Sequence, residues 1–152
     1  MKKIISGGQT GADRGGLLAG QLLGIKTGGT APRNFMTELG TCLELKTAFG
    51  LVEGEYDPKV YPKRTRRNVE DSEGTLLMGD TQSPGSRLTL RLCQELGKPW
   101  IINPTPLELK EWLEAYSIDI LNVAGNRESK NPGIETETFT LLYSTLGESS
   151  NG

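Results

Sequence analysis

The 152-residue chain contains no histidine. That removes the commonest general base, excludes Ser-His-Asp and Cys-His catalytic arrangements, and takes away the commonest transition-metal ligand. Cysteine is nearly absent: Cys42 and Cys93 stand far apart with no CxxC spacing, which argues against a disulfide framework or a zinc site. No metal-ligating residues are predicted. No apolar run approaches bilayer length, and the one that follows Lys2 and Lys3 is far too short for a secretory leader. An excess of one charge is also missing: 17 Lys and Arg face 19 Asp and Glu, for a net charge of −2 without long like-charged blocks. Nothing in that balance asks for a nucleic-acid polymer or a membrane as partner. These absences together predict a cytoplasmic protein of one domain, long enough to build a core without staples.

What is present alternates. Short apolar runs at Lys3–Ser6, Ile25–Gly29, Gly74–Asp80, Pro99–Asn103 and Asp119–Gly125 read as strands. Between and after them, helical spacing runs from about Asp13 to Leu23, over Ser86–Leu96 and Pro106–Ser117, and from Asn131 to Leu146. Strands alternating with helices predict an α/β fold, a three-layer open sandwich around a mostly parallel sheet. Residues 1–147 are expected to form a single domain and 148–152 a flexible tail. The stretch Phe35–Arg67 breaks the rhythm and is expected to be irregular, with a short strand near Leu51–Glu53; loops of such length are usually functional.

In open α/β sheets ligands bind outside the carboxyl ends of the strands, so the loops after the strands are the informative segments. The first, "GGQTGAD", holds Gly7, Gly8, Thr10, Gly11, Ala12 and Asp13 between a strand and a helix. Its glycines allow positive φ and close approach of a ligand to the backbone, and backbone amides at a helix start can hold an anion. In the plainer reading it is a tight turn with Asp13 capping the helix. It is neither a Walker loop nor GxGxxG. Arg33, after the stiff "GTAP", reads as a phosphate clamp or a surface arginine. "SPGSRLTL" puts Gly85 and Ser86 at another helix entry, with Ser86 as the expected N-cap. "AGNRESKNPG" offers Asn126, Arg127 and Ser129, donors suited to phosphate or to a purine edge. "KRTRRNV" concentrates Lys63, Arg64, Arg66 and Arg67 just before the third strand, as a ligand grip, an assembly surface or a solvated charge run. One such loop would mean little. Several on one sheet edge predict a binding crevice.

"GGQTGADRGGLLAG", "GTAPRN", "YPKRTRRNVEDSEGTLLMGD", "SPGSRLTLRLCQELGKPW" and "NVAGNRESKNPGI", in that order, resemble the putative molybdenum carrier family, a Rossmann-like group related to the lysine-decarboxylase-like nucleotide-binding proteins. The resemblance spans nearly the whole chain. It implies a Rossmann-like fold, a homo-oligomer (dimer or tetramer), and a carrier that binds molybdenum cofactor (molybdopterin) or a related phosphorylated, nucleotide-like ligand. Carried over by motif, the ligand-facing positions are Gly8, Thr10, Gly11, Ala12, Asp13, Arg33, Gly85, Ser86, Asn126, Arg127 and Ser129, with Gly7 opening the first loop. The chain departs from the family at Glu73-Gly74, where an Asp-Ala pair is usual. The alternative is a nucleotide-processing hydrolase of the lysine-decarboxylase-like, phosphoribohydrolase type, or a nucleotide-ligand sensor. A hydrolase would use Asp13 as acid or base, with Glu128 or Glu135 as second carboxylate. "SPGSRLTL" lacks the second glycine and following acid of the phosphoribohydrolase PGGxGT loop, which counts against the hydrolase.

Overall fold

The computed structural model describes residues 1–54 and 63–149. Five parallel strands form the central sheet: β1 (Lys3–Ile5), β2 (Lys26–Gly28), β7 (Gly74–Met78), β8 (Trp100–Ile102) and β9 (Ile120–Gly125), in the order β2-β1-β9-β7-β8. β7 and β9 are the central strands. They run as near-continuous apolar segments because helices cover both of their faces. Helices α1 (Ala12–Leu22) and α5 (Pro106–Ala115) each pack on α6 (Ile134–Ser149) over one face; α3 (Lys63–Asp71) and α4 (Pro84–Leu96) pack together over the other. This is the expected three-layer Rossmann-like sandwich.

The core follows from the alternation along β9. Leu121 and Val123 turn to the α1–α6 side, where Ile4, Leu76, Leu109, Ile134 and Leu142 join them in full burial. Asn122 turns the other way, buried, and its side-chain amide donates to the Thr75 hydroxyl at 3.2 Å. Val69, Leu92 and Cys93 form a smaller cluster under α3 and α4. At α4, Ser83 is the N-cap and Ser86 the recipient: the Ser83 hydroxyl accepts the Ser86 N–H at 3.4 Å. Ser86 is therefore not the cap, because Pro84, which lacks an N–H, enters the helix two residues earlier than expected.

The described parts of the Phe35–Arg67 stretch, 35–54 and 63–67, hold more regular structure than the sequence predicts. They contain a hairpin of β4 (Met36–Thr37) and β5 (Gly40–Thr41), the short α2 (Glu44–Thr47), and β6 (Val52–Glu53), which pairs in parallel with β3 (Thr30–Ala31). A third apolar cluster of Leu17, Ala31, Phe35, Leu45, Phe49 and Leu51 holds these pieces together. Lys63–Arg67 lie on α3 rather than in a loop. The helix is favoured by i,i+4 ion pairs, Arg66–Glu70 and Arg67–Asp71, both at 3.0 Å. The final helix runs through to Ser149. Of the expected tail, Ser150, Asn151 and Gly152 lie outside the described residues, as do residues 55–62 of the long connection.

Candidate functional site

A cavity of about 180 Å³ opens at the carboxyl ends of β1 and β9, on the α3–α4 side of the sheet. The first loop gives it Gly7, Gln9 and Asp13; α3 gives Arg64, Thr65 and Asn68; α4 gives Gly85, Ser86 and Thr89. Asn122 to Gly125 of β9 form the floor, and Arg127 stands at the exit of that strand. Among the described residues, two arginines thus converge with one carboxylate and the start of a 13-residue helix. Ser86, Thr89, Asn68 and Asn122 are all buried polar residues. Nothing lies within 4 Å of where a Gly85 side chain would begin, so the backbone there is open to a neighbour.

Of the residues singled out in the sequence, Gly7, Asp13, Gly85, Ser86 and Arg127 line this cavity, as does Arg64 of the basic run. Gly8, Thr10, Gly11, Ala12, Arg33, Asn126 and Ser129 are not among its lining residues. The first loop satisfies its own amides instead. Gly8 N–H donates to Ser6 Oγ at 3.2 Å, Gln9 N–H to Asp13 Oδ2 at 3.1 Å, and Thr10 N–H to the Gln9 side chain at 3.1 Å. Ala12 N–H donates to the Asn126 carbonyl at 3.1 Å. Gly11, at φ 85°, is the point of closest approach between the first and last loops: a Cβ there would lie 2.3 Å from the Asn126 carbonyl oxygen. A Cβ on Gly8 would meet Leu45 and Leu51 of the core at 2.8 and 2.9 Å. These two glycines serve loop packing.

Asn126 is a tie between strands. Its Oδ1 accepts the Asp80 N–H at 2.6 Å, and its Nδ2 donates to the Asp80 carbonyl at 3.0 Å. Arg33 is exposed in a 3-10 turn, Arg33–Phe35. Thr10 and Ser129 are drawn together by Glu38, at the turn of the β4–β5 hairpin. The carboxylate of Glu38 accepts from both hydroxyls and from the Ser129 N–H. Those bonds hold its pKa below the usual carboxylate value. Glu38 and Asn68 escaped the sequence reading as site-building residues; Glu38 reaches partners 28 and 91 residues away. Of the basic run weighed as a ligand grip, Arg64 is the member that lines the cavity.

Asp13 is the carboxylate of the cavity wall. Burial pushes its carboxyl up from 3.8 to about 7. The Gln9 amide, the charge of Arg64 and the Gly7 amide pull in the opposite direction and are outweighed. The other acids considered as its partner are committed elsewhere. Glu128 caps the start of α6, accepting Gly133 N–H at 2.7 Å and Glu135 N–H at 3.0 Å. Glu135 faces Arg14 at 3.5 Å, and Arg14 also pairs with Glu44 at 2.8 Å.

No functionally curated protein matches the chain. Among solved structures, a crystal structure titled "Putative molybdenum carrier protein", from Syntrophus aciditrophicus SB, superposes with a TM-score of 0.85. It is 34% identical and the match covers 96% of this chain and 95% of that one. The model of the circularly permutated YpsA SLOG family matches residues 4–146. The order of glycine loops along the chain, the parallel sheet that carries them and these two matches agree: the chain belongs to the circularly permutated YpsA SLOG family.

Proposed function

We propose that the protein is a molybdenum cofactor carrier, holding a phosphorylated pterin such as molybdopterin, or a nucleotide-like relative, at the carboxyl edge of the sheet. The observation that carries this reading is the convergence of Arg64, Arg127 and the start of α4, open at Gly85, on one cavity. Guanidinium groups and a helix N-terminus both favour phosphate. The cavity is smaller than the roughly 300–1,000 Å³ that accommodates a drug-sized ligand, so it suits the phosphate end of such a molecule. The family relative named a molybdenum carrier points the same way.

Among the described residues no group of three or more His, Cys, Asp or Glu could hold a metal ion, and neither cysteine lines the cavity. The donors present fit a phosphate, and molybdenum would travel inside its own organic ligand. Asp13, Ser86 and Arg127 keep their proposed ligand-facing roles, joined by Arg64; Thr10, Gly11, Ala12, Asn126 and Ser129 shape the rim. Residues 1–147 act as one domain, working in the cytoplasm. An apolar groove between α1 and α6, lined by Leu18, Leu22 and Phe139, gives a homo-oligomer a surface to use.

One observation favours a second reading. A carboxyl raised to about 7 beside a cavity is suited to general acid or base work, so a nucleotide hydrolase using Asp13 is the competitor. Glu128 and Glu135 are tied down, which leaves that hydrolase without the second carboxylate it was expected to use.

Native mass spectrometry of the full chain, followed by a denatured run of the same sample, separates the two. A released pterin or nucleotide, lost in the Arg64→Met/Arg127→Met double variant, supports the carrier. Failure to release or bind molybdenum cofactor or any nucleotide would overturn it. Turnover of nucleoside monophosphates, abolished in Asp13→Asn, would replace it with the hydrolase.

A further inference from the structure

We propose that the cavity binds its ligand as a doubly charged oxyanion or phosphate ester and takes up one proton from solvent on the Asp13 carboxyl as it does so. The inference rests on the reading of this cavity as an anion site, and it adds how occupancy of that site is regulated. A carboxylate inside an anion site is a contradiction unless its charge can be removed. Asp13 shares its cavity wall with the guanidinium groups of Arg64 and Arg127. A dianion entering between them would repel an ionised Asp13. Against a neutral Asp13 it meets no such repulsion and gains one more donor, the carboxyl O–H.

The surroundings of Asp13 leave the proton as the adjustable part. The first loop presents the Gly7 and Gln9 amides; Gln9 N–H donates to Oδ2 at 3.1 Å. From α3 come Arg64 and Asn68, and the Asn68 side chain is committed to Thr30. From β9 comes Asn122, whose amide donates to Thr75, and from the exit of β9 comes Arg127. From α4 comes Ser86. On its own helix, Arg14 is engaged with Glu44 and Glu135. Glu38, which is not among the cavity's lining residues, is held by Thr10 and Ser129, and those bonds lower its carboxyl below the ordinary value. Among the described residues, two arginines and one titratable acid therefore face the anion. Burial already places that acid near neutrality, at about 7, so a bound dianion pushes it further toward the protonated form.

Sulfate and molybdate are suitable probes, since each keeps its double charge across the neutral and mildly alkaline range. Titration calorimetry of the full chain in two buffers of different ionisation enthalpy reads proton uptake without any mutation. The expected result at about pH 8 is uptake approaching one proton per anion, with affinity falling about tenfold per pH unit above the Asp13 pKa. Asp13→Asn keeps an acceptor for the Gln9 amide and should bind both anions with no buffer dependence and no fall. Arg64→Met should bind more weakly at every pH and move the fall to higher pH, because Asp13 loses its cation. Binding with equal heats in both buffers, or the same pH slope in Asp13→Asn as in the parent, would overturn the proposal and leave the anion site standing. If neither anion binds at any pH, the anion site itself fails and the proposal fails with it.

Discussion

Asn68 closes on the backbone of Thr30 from both sides. Its Oδ1 accepts the Thr30 N–H at 2.8 Å and its Nδ2 donates to the Thr30 carbonyl at 3.0 Å. The pair joins α3 to β3, and Arg64 sits one helical turn before Asn68 on the same face of α3. A buried residue 38 positions from its partner thereby sets the helix that presents Arg64 to the cavity. Asn68→Ala strands two backbone groups and should lower the unfolding free energy by about 2–4 kcal/mol. Urea denaturation measures this, and an unchanged midpoint would mean that the pair is not what fixes α3. Ligand affinity should fall in the same variant, since Arg64 loses its anchor.

Two glycines of the expected ligand loops should respond in opposite ways. Gly11→Ala places a Cβ 2.3 Å from the Asn126 carbonyl oxygen at φ 85°, with backbone on every near side. The fold should lose about 3 kcal/mol or more. Gly85 is helical and faces open space. Alanine there should raise helix propensity by about 0.5–1 kcal/mol and lift the melting temperature slightly. The same methyl intrudes where an anion would meet the start of α4, so ligand retention in native mass spectrometry should drop. Stability that rises while retention falls marks a binding residue; if retention is unaffected, α4 has no part in the site.

This contrast shows what the sequence could and could not reveal. The strands and the principal helices were legible because their signals are local: apolar runs of strand length, helical spacing, proline and glycine at the ends. Those same signals located the edge of the sheet where the cavity lies, and with it Asp13, Gly85, Ser86 and Arg127. Glycine in a strand-to-helix turn, however, reads alike whether it receives a phosphate or another loop. Gly11 receives the Asn126 carbonyl, and only the fold brings residue 126 to residue 11. Asn68 and Glu38 were illegible for a similar reason, as their partners are 38 and up to 91 residues away. Helix α3 was obscured by its basic composition, and its acids Glu70 and Asp71 make sense only at a four-residue spacing.

The Glu38 clasp predicts a local rather than a global effect. Its carboxylate takes the Ser129 N–H at 3.2 Å and the Thr10 hydroxyl, which in turn accepts the Glu128 N–H at 3.2 Å. Glu38→Ala removes the bonds to the Ser129 N–H and to the Ser129 and Thr10 hydroxyls, and frees Thr10 to rotate away from the Glu128 N–H. Amide exchange at Glu128 and Ser129 should quicken by about tenfold, the loss of roughly one hydrogen bond's worth of local protection. Exchange in the central strands β7 and β9 should stay as it is. A rise spread evenly over the whole chain would mean that Glu38 stabilises the fold at large and does not act as a strap between two loops.

The raised carboxyl of Asp13 makes a prediction about the empty protein that is independent of any ligand. In the unfolded chain it ionises near its ordinary value of 3.8; in the folded protein it holds its proton until about 7. Between those values the native state binds the proton more tightly than the unfolded state does, so stability falls as pH rises through that window. Above about 7 both states are ionised and the loss is complete, because the folded protein then carries a carboxylate in a poorly solvated place. Asp13→Asn cannot ionise and keeps the neutral shape. It should resemble the parent near pH 4 and exceed it by about 1–3 kcal/mol at pH 8. Chemical denaturation at the two pH values decides the matter. If the variant is no more stable than the parent at pH 8, Asp13 is ionised in the fold at ordinary cost, and the proton assigned to it on ligand binding has no place to go.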